Sequence, residues 1–297
     1  MEILCGALLC VGSEESGLMM NPMKRIVTVQ DISCVGKCSL TVALPIISAM
    51  GVETAVLPTA VLSSHTLFPH PAVCDLTDQI PHIAAHWGEI GVRFDGIYTG
   101  YLGSPEQLDL ISDFIDSFRR DGFVFIDPVM GDHGRLYSRF TPAFVGRMAS
   151  LCAKADIIVP NLTEACLLLG IPYIGEDYTE SEIRDILRGL TGLGARKAIV
   201  TGISFAPEKL GAYAYDSLSG DFVSYFGERV TGSFHGTGDI FASVCVGALA
   251  GGRTLEEAIR TAVEFTCECI RQTVDETRDK AFGVNFERAL PLLIAGQ

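Results

Sequence analysis

The stretch FVFIDPVMGDHGRLYSRFTPAFVGRMASLCAKADIIVPNLTEACLLLG, residues 123–170, decides the fold. It holds two near-continuous apolar runs, FVFID at 123–127 and DIIVP at 156–160. Each is short, and both of its alternating faces are apolar. Such a strand is buried on both sides, as in parallel sheets, whereas an antiparallel strand with one wet face alternates. Residues 142–151 and 162–169 space their apolar positions like helices. Strand, helix, strand, helix at this spacing implies a mostly parallel sheet covered on both faces.

Reading outward, the same alternation continues. Further strands are expected at 25–30, 54–58, 96–99 and 198–201, and further helices at 39–50, 75–90, 105–121 and 180–193. Ser104-Pro105-Glu106 marks a helix start, with Ser placed to cap and Pro suited to the first turn. Past 201 the pattern changes. Residues 210–215 and 221–226 alternate like two antiparallel strands joined by 216–220, and helices follow at 239–249, 255–273 and 285–294. The expected architecture is an α/β fold, a three-layer α/β/α sandwich with a mostly parallel central sheet. Residues 23–297 read as one domain. Residues 1–22 read as an N-terminal extension outside the fold, with Met23 an alternative start.

Composition narrows the function. Of 297 residues 48% are hydrophobic, too many for a disordered chain. Lys+Arg is 22 against Asp+Glu 36, a formal charge of −14, which excludes a general nucleic-acid binder with its basic footprint. A phosphate-bearing small ligand stays open, because it needs only local positive potential. No stretch reaches the ~18 apolar residues of a membrane span, and the apolar run near the start has no basic residue before it. A cytoplasmic protein is expected. Ten cysteines without a CxxC pair or a zinc-finger spacing read as reduced thiols. His65, His70, His82 and His86 lack a metal-ligand pattern and read as polar-face residues.

Four clusters carry the chemistry. Gly236-Thr237-Gly238-Asp239 stands before an apolar helix. Two glycines allow a tight turn, and a helix N-terminus adds about half a positive charge, so the segment suits an anion hole with Asp239 as a base. It equally suits an ordinary helix cap, and it lacks the Lys-Ser/Thr ending of a Walker loop. Asp127 closes one strand and Asp132 follows five residues on, at the strand edge where open parallel sheets bind ligands. These acids suit a Mg²⁺–phosphate network or plain turn chemistry. Asn161 and Glu164 have the spacing of a capping box and could also hold Mg²⁺ through water. Asp31, Thr66 and Tyr101 could line a pocket for a small ring, while each taken singly reads as a turn or surface residue.

Taken in order, SSHT (63–66), TGYLGS (99–104), DPVMGD (127–132), PNLTE (160–164) and GTGD (236–239) resemble the ribokinase-like superfamily, and within it the pyridoxal kinase group. The resemblance runs from about Lys24 to the C-terminus. It implies an ATP-dependent kinase that phosphorylates the 5′-hydroxymethyl group of vitamin B6 vitamers, with Mg²⁺, a monovalent cation such as K⁺, and a homodimer. It further implies Asp239 as catalytic base and Gly236, Thr237 and Gly238 as the anion hole. Asp127, Asp132, Asn161, Glu164 and Thr201 would serve Mg–ATP, with Asp127, Asp132 and Glu164 on the metal, partly through water. Asp31, Thr66 and Tyr101 would line the pyridine pocket.

Three positions depart from the family pattern. Gln30-Asp31 replaces Gln-Ser, CVGKCSLT (34–41) replaces a Gly-His/Tyr-x-Gly-Asn stretch, and His235 precedes GTGD where a small apolar residue is commoner. The cysteine that one branch carries in its lid is absent from 131–140. These departures bear on substrate preference. The rival readings are a hydroxymethylpyrimidine or sugar-like alcohol kinase on the same fold, and a non-catalytic nucleotide- or B6-binding protein.

Overall fold

The computed structural model describes residues 23–230, 232, 234–274 and 280–295. The expected extension at 1–22, with Cys5 and Cys10, lies outside the described residues.

In chain order the elements are β1 (Arg25–Ser33), α1 (Leu40–Ala49), β2 (Glu53–Leu62), β3 (Val73–Asp75), α2 (Ile80–Glu89), β4 (Gly96–Thr99), α3 (Pro105–Phe118) and β5 (Phe123–Ile126). A small hairpin follows, β6 (Gly131–Asp132) and β7 (Arg135–Leu136), then α4 (Pro142–Cys152), β8 (Ile157–Ile158), α5 (Leu162–Leu169) and α6 (Glu180–Gly192). The last third holds β9 (Lys197–Ile203), β10 (Lys209–Asp216), β11 (Asp221–Glu228), α7 (Thr237–Ala250), α8 (Leu255–Val274) and α9 (Leu290–Ala295).

One sheet takes nine strands in the order β11-β10-β9-β8-β5-β4-β1-β2-β3. From β9 to β2 every pairing is parallel, while β3, β10 and β11 add antiparallel edges. The strands split their side chains between two cores. Val27, Ile97, Val124 and Val200 pack toward α3, α4, α5 and α6. Ile26, Tyr98, Phe125 and Ile199 pack toward α1, α7 and α8. This alternation is the three-layer α/β/α sandwich expected from the sequence.

Local chemistry sets the helices. Ser104 accepts the Gln107 N–H at 3.1 Å and starts α3, as its Ser-Pro signal predicts. In α6, Thr179 and Glu182 form a capping box, and Ile183, Ile186, Leu187 and Leu190 make one buried stripe. α7 is apolar nearly all round and is correspondingly buried between α1 and α8.

Three expectations needed correction. The helix expected at 75–90 begins only at Ile80; Asp75 pairs into β3, and its Oδ1 then accepts the Thr77 N–H at 2.7 Å, a turn that competes with helix. β2 runs past Pro58 to Leu62. Pro58 is tolerated because β3 pairs only from Ala60, and a bulge lies beside it, with Thr59 and Ala60 together facing Asp31. The last helix is broken into a 3₁₀ turn, Phe286–Arg288, and α9, whose second residue is Pro291.

All eight described cysteines are free thiols, five of them buried. Among the described residues no helix is long and apolar enough to cross a membrane.

Leu187→Ala, which opens a cavity in the core beneath α6, is expected to cost ~2–5 kcal/mol, against ~1 kcal/mol for loss of the cap in Thr179→Ala. Urea unfolding of both variants checks the ratio; equal losses would contradict the packing described.

Candidate active site

The carboxyl ends of β5, β8 and β9 and the N-terminus of α7 open onto one cavity of ≈ 360 Å³. Asp127, Asp132, Asn161, Glu164, Thr201 and the Gly236–Asp239 turn all line it. Nine of the twelve side chains or turn residues singled out from sequence therefore meet in one place. A second, larger cavity of ≈ 850 Å³ shares Asp132, Asn161 and Thr201 and continues along Tyr173, Tyr178 and Phe205.

The turn before α7 depends on glycine. Gly236 is left-handed at φ 81°, and a Cβ there would stand 2.1 Å from the Lys37 carbonyl oxygen. Nothing lies within 4 Å of where a Gly238 Cβ would be, so its outer side faces open space. The first-turn N–H groups of a helix have no intrahelical partner, and here they border the cavity at the positive end of the dipole.

Asp239 sits in that first turn. Burial raises its carboxyl to about 6; the nearby Ser39 backbone N–H favours the charged form and pulls the value down, while the charge of Asp31 pushes it up. Asp127 is 7% exposed and is raised well above the usual carboxylate range, by burial first and then by Glu164 and Asp239. Glu164 is raised to about 8 by burial, against three backbone N–H donors that favour its charged form.

The capping-box reading of 161–164 holds. Asn161 Oδ1 accepts the Glu164 N–H and Glu164 Oε2 accepts the Asn161 N–H, each at 2.9 Å, a complete capping box. Glu164 Oε1 also accepts the Met130 N–H at 3.0 Å, and Asn161 Nδ2 donates to the Gly131 carbonyl at 2.9 Å. The box thus ties α5 to the segment after Asp127, while both residues line the cavity. Thr201 is held beside them through a bridge to Asn161 and an N–H donated to the Pro160 carbonyl at 3.0 Å.

Three buried acids whose affinity for a proton is raised, Asp127 in part by the charges of Glu164 and Asp239, with no Lys or Arg among the described residues lining their cavity, form a negative well that a cation would relieve. The donors are hard oxygens. No group of three His, Cys, Asp or Glu side chains converges as a metal cage among the described residues. That combination fits Mg²⁺, which takes one or two carboxylates and completes its shell with water and phosphate oxygens.

The remaining three residues are dispersed. Asp31 is buried at the bulge facing β2 and accepts the Ser33 hydroxyl at 3.2 Å. Tyr101 lies tilted against Phe140, 5.7 Å between ring centres, and its hydroxyl is raised by burial first, with the charge of Asp31 adding to it. Thr66 is exposed and lines neither cavity.

His65 corrects a sequence expectation. It is not on a polar face but buried at 3% exposure, with Nε2 donating to the Ala281 carbonyl at 2.7 Å and its ring 4.2 Å from that of His235. The Leu67 N–H donates to Nδ1 at 3.3 Å, which places the ring proton on Nε2. Ser39, left-handed at φ 49°, and Arg229, the one Lys or Arg lining either cavity among the described residues, carried no motif that could have flagged them. His235 was flagged only as a departure. It lines the cavity, and burial lowers its imidazole to about 4.

A mostly parallel sandwich with a glycine-opened helix above buried acids at the strand ends defines the ribokinase-like class of fold. A family model described as phosphomethylpyrimidine kinase matches residues 46–283. A Bordetella bronchiseptica protein named pyridoxine/pyridoxal/pyridoxamine kinase is 29% identical over 259 residues, covering 84% of this chain and 89% of its own. A Bacteroides thetaiotaomicron crystal structure, of a candidate phosphomethylpyrimidine kinase in a form with pyridoxal, is 42% identical with a TM-score of 0.87, covering 91% of this chain and 96% of that one. Pyridoxal kinase from Lactobacillus plantarum is 33% identical with a TM-score of 0.84, covering 92% and 97%. The chain belongs to the phosphomethylpyrimidine kinase family and, within the ribokinase-like superfamily, to its pyridoxal kinase group.

The raised Asp239 carboxyl has a stability consequence. The native state holds this proton more tightly than the unfolded chain does. The group's contribution is therefore fully present below the ordinary value of 3.8 and is lost as pH rises through about 6. Without divalent metal, Asp239→Asn is expected to exceed wild type in stability near pH 8 by up to about 3 kcal/mol, the gap closing below about pH 4. Urea titrations at the two pH values check this; a destabilised variant near pH 8 would contradict the electrostatics assigned here.

Proposed function

We propose that the protein is an ATP-dependent kinase that phosphorylates the 5′-hydroxymethyl group of vitamin B6 vitamers. The observation that carries the proposal is the placement of Asp239 beside the free N–H groups of the α7 turn, in a cavity shared with Asp127 and Glu164. A base, an anion hole and a metal-favouring well are the parts that phosphoryl transfer to an alcohol requires. The names of the relatives support the choice of substrate.

In this reading Asp239 takes the proton from the attacking hydroxyl. Its value near 6 leaves it ionised at neutral pH and still basic enough to serve. The N–H groups at 237–239 steady the oxygens of the phosphoryl group in transit. Asp127 and Glu164, with Asp132 at the cavity mouth, would hold Mg²⁺, partly through water. When bound, the metal neutralises phosphate charge. Asn161 and Thr201 would face the nucleotide phosphates. Asp31 and Tyr101 would border the ring, with Thr66 joining them only if its exposed segment moves inward. A cytoplasmic homodimer and a monovalent cation come with the same family reading.

The family model favours one second reading, a hydroxymethylpyrimidine kinase. That alcohol would use the same base and phosphate groups. Coupled release of ADP with pyridoxal, pyridoxamine, pyridoxine, hydroxymethylpyrimidine and ribose separates the readings. Turnover on B6 vitamers is expected, and turnover on ribose alone would overturn the proposal. Asp239→Asn is expected to lower kcat by at least ~10²-fold with little change in the nucleotide KM. Near-wild-type turnover would remove Asp239 as base. In a kcat/KM profile, activity is expected to fall as pH drops through about 6.

A further inference from the structure

Lys37, in the loop between β1 and α1, joins segments that are remote in sequence. Its Nζ donates to Asn285 Oδ1 at 2.7 Å and to Glu287 Oε2 at 2.8 Å, and its backbone N–H donates to the Phe282 carbonyl at 3.1 Å. The Lys37 side chain is 18% exposed and its bond to Asn285 is partly buried, while Glu287 faces solvent at 52%. Asn285 is itself buried and fixed: its N–H donates to Thr273 Oγ1 at 2.8 Å, and its Nδ2 donates to the Gln272 carbonyl at 3.3 Å. The anchor therefore reaches back to the end of α8.

The other side of the same residue faces the α7 turn. The Lys37 carbonyl oxygen lies where Gly236 has no room for a Cβ. Gly283, left-handed at φ 91°, closes on Lys37 from the C-terminal segment; a Cβ there would stand 2.8 Å from that of Lys37. Two residues along the loop, the Ser39 backbone faces Asp239 and favours its ionised carboxylate. A second strut runs parallel, where His65 holds the Ala281 carbonyl and packs against Gly36. The 36–39 loop is thus gripped from below by 281–287 and touches both the glycine turn and the acid from above.

We propose that Lys37 is a positioning residue for phosphoryl transfer: by pinning residues 282–287 beneath the 36–39 loop, it sets where the Gly236 turn and the Ser39 N–H stand relative to Asp239. This rests on the kinase reading above. The side chain never enters the cavity, and its effect passes through backbone contacts. Misplacing a reacting group by about 1 Å costs on the order of 10²-fold in rate, so a small loosening is enough.

Lys37→Met keeps the length and apolar stem while removing the donors. It is expected to lower kcat ~10–100-fold while leaving the nucleotide KM within about threefold. Glu287→Gln should give a smaller loss in the same direction. Added to Lys37→Met it should change kcat by less than about twofold, because both variants break one contact. Lys37→Arg should restore part of the loss. Amide hydrogen exchange of each variant without substrate is the second measurement, with faster exchange expected at 34–39 and 234–240 and unchanged exchange in α3 and α4. A folded Lys37→Met protein with wild-type kcat, or one with unchanged exchange at 234–240, overturns the proposal. If Lys37→Met does not fold, Glu287→Gln decides by the same two readouts. A wild-type protein inactive on the whole alcohol panel would sink the kinase reading instead, and the exchange measurement would still judge Lys37.

Discussion

The contact on which the site depends is the close approach of Gly236 to the Lys37 carbonyl oxygen. Any side chain at 236 would push the α7 turn away from the 36–39 loop. With glycine the turn closes to φ 81°, the first N–H groups of α7 face the cavity, and Asp239 comes within reach of the Ser39 N–H. Ser39 meets this from the other side by adopting φ 49°, a left-handed conformation unusual for a side chain larger than glycine. Such backbone strain persists only where surrounding contacts over-determine it. Here those contacts include the Lys37 and His65 links to the C-terminal segment.

The same arrangement explains how an acidic protein can handle anionic phosphates. The formal charge of −14 is not offset inside the catalytic cavity by Lys or Arg among the described residues. Positive potential there comes from oriented N–H groups and the α7 dipole, whose placement costs no counter-ion. Asp127, Glu164 and Asp239 meanwhile hold their protons more tightly than exposed carboxyls would, chiefly because they are buried. A protein in this condition is less stable empty than it could be, a common state for a functional site.

The legibility of the fold followed from burial. FVFID and DIIVP read as parallel strands because both faces of each are covered, and they occupy β5 and β8 near the centre of the sheet. The errors fell where a polar side chain or a bulge altered the local rule, at Asp75 and around Pro58. At the site, the residues that line the cavity were readable because each stands at the end of a strand or the start of a helix. The positions of Asp31 and Thr66 were less so. Thr66 is exposed, and Asp31 owes its position to a bulge that no periodicity announces.

The sequence by itself determined the layer architecture, the strands that carry the site, and the turn that opens α7. Those are local matters of apolar spacing, glycine freedom and capping, encoded within a few residues of each other. Tertiary structure alone decided the burial of His65, the raised proton affinities of Asp127, Glu164 and Asp239, and the grip of Lys37 on Asn285 and Glu287. Each of these joins residues far apart in the chain, and its strength is set by how much water the folded protein excludes between them.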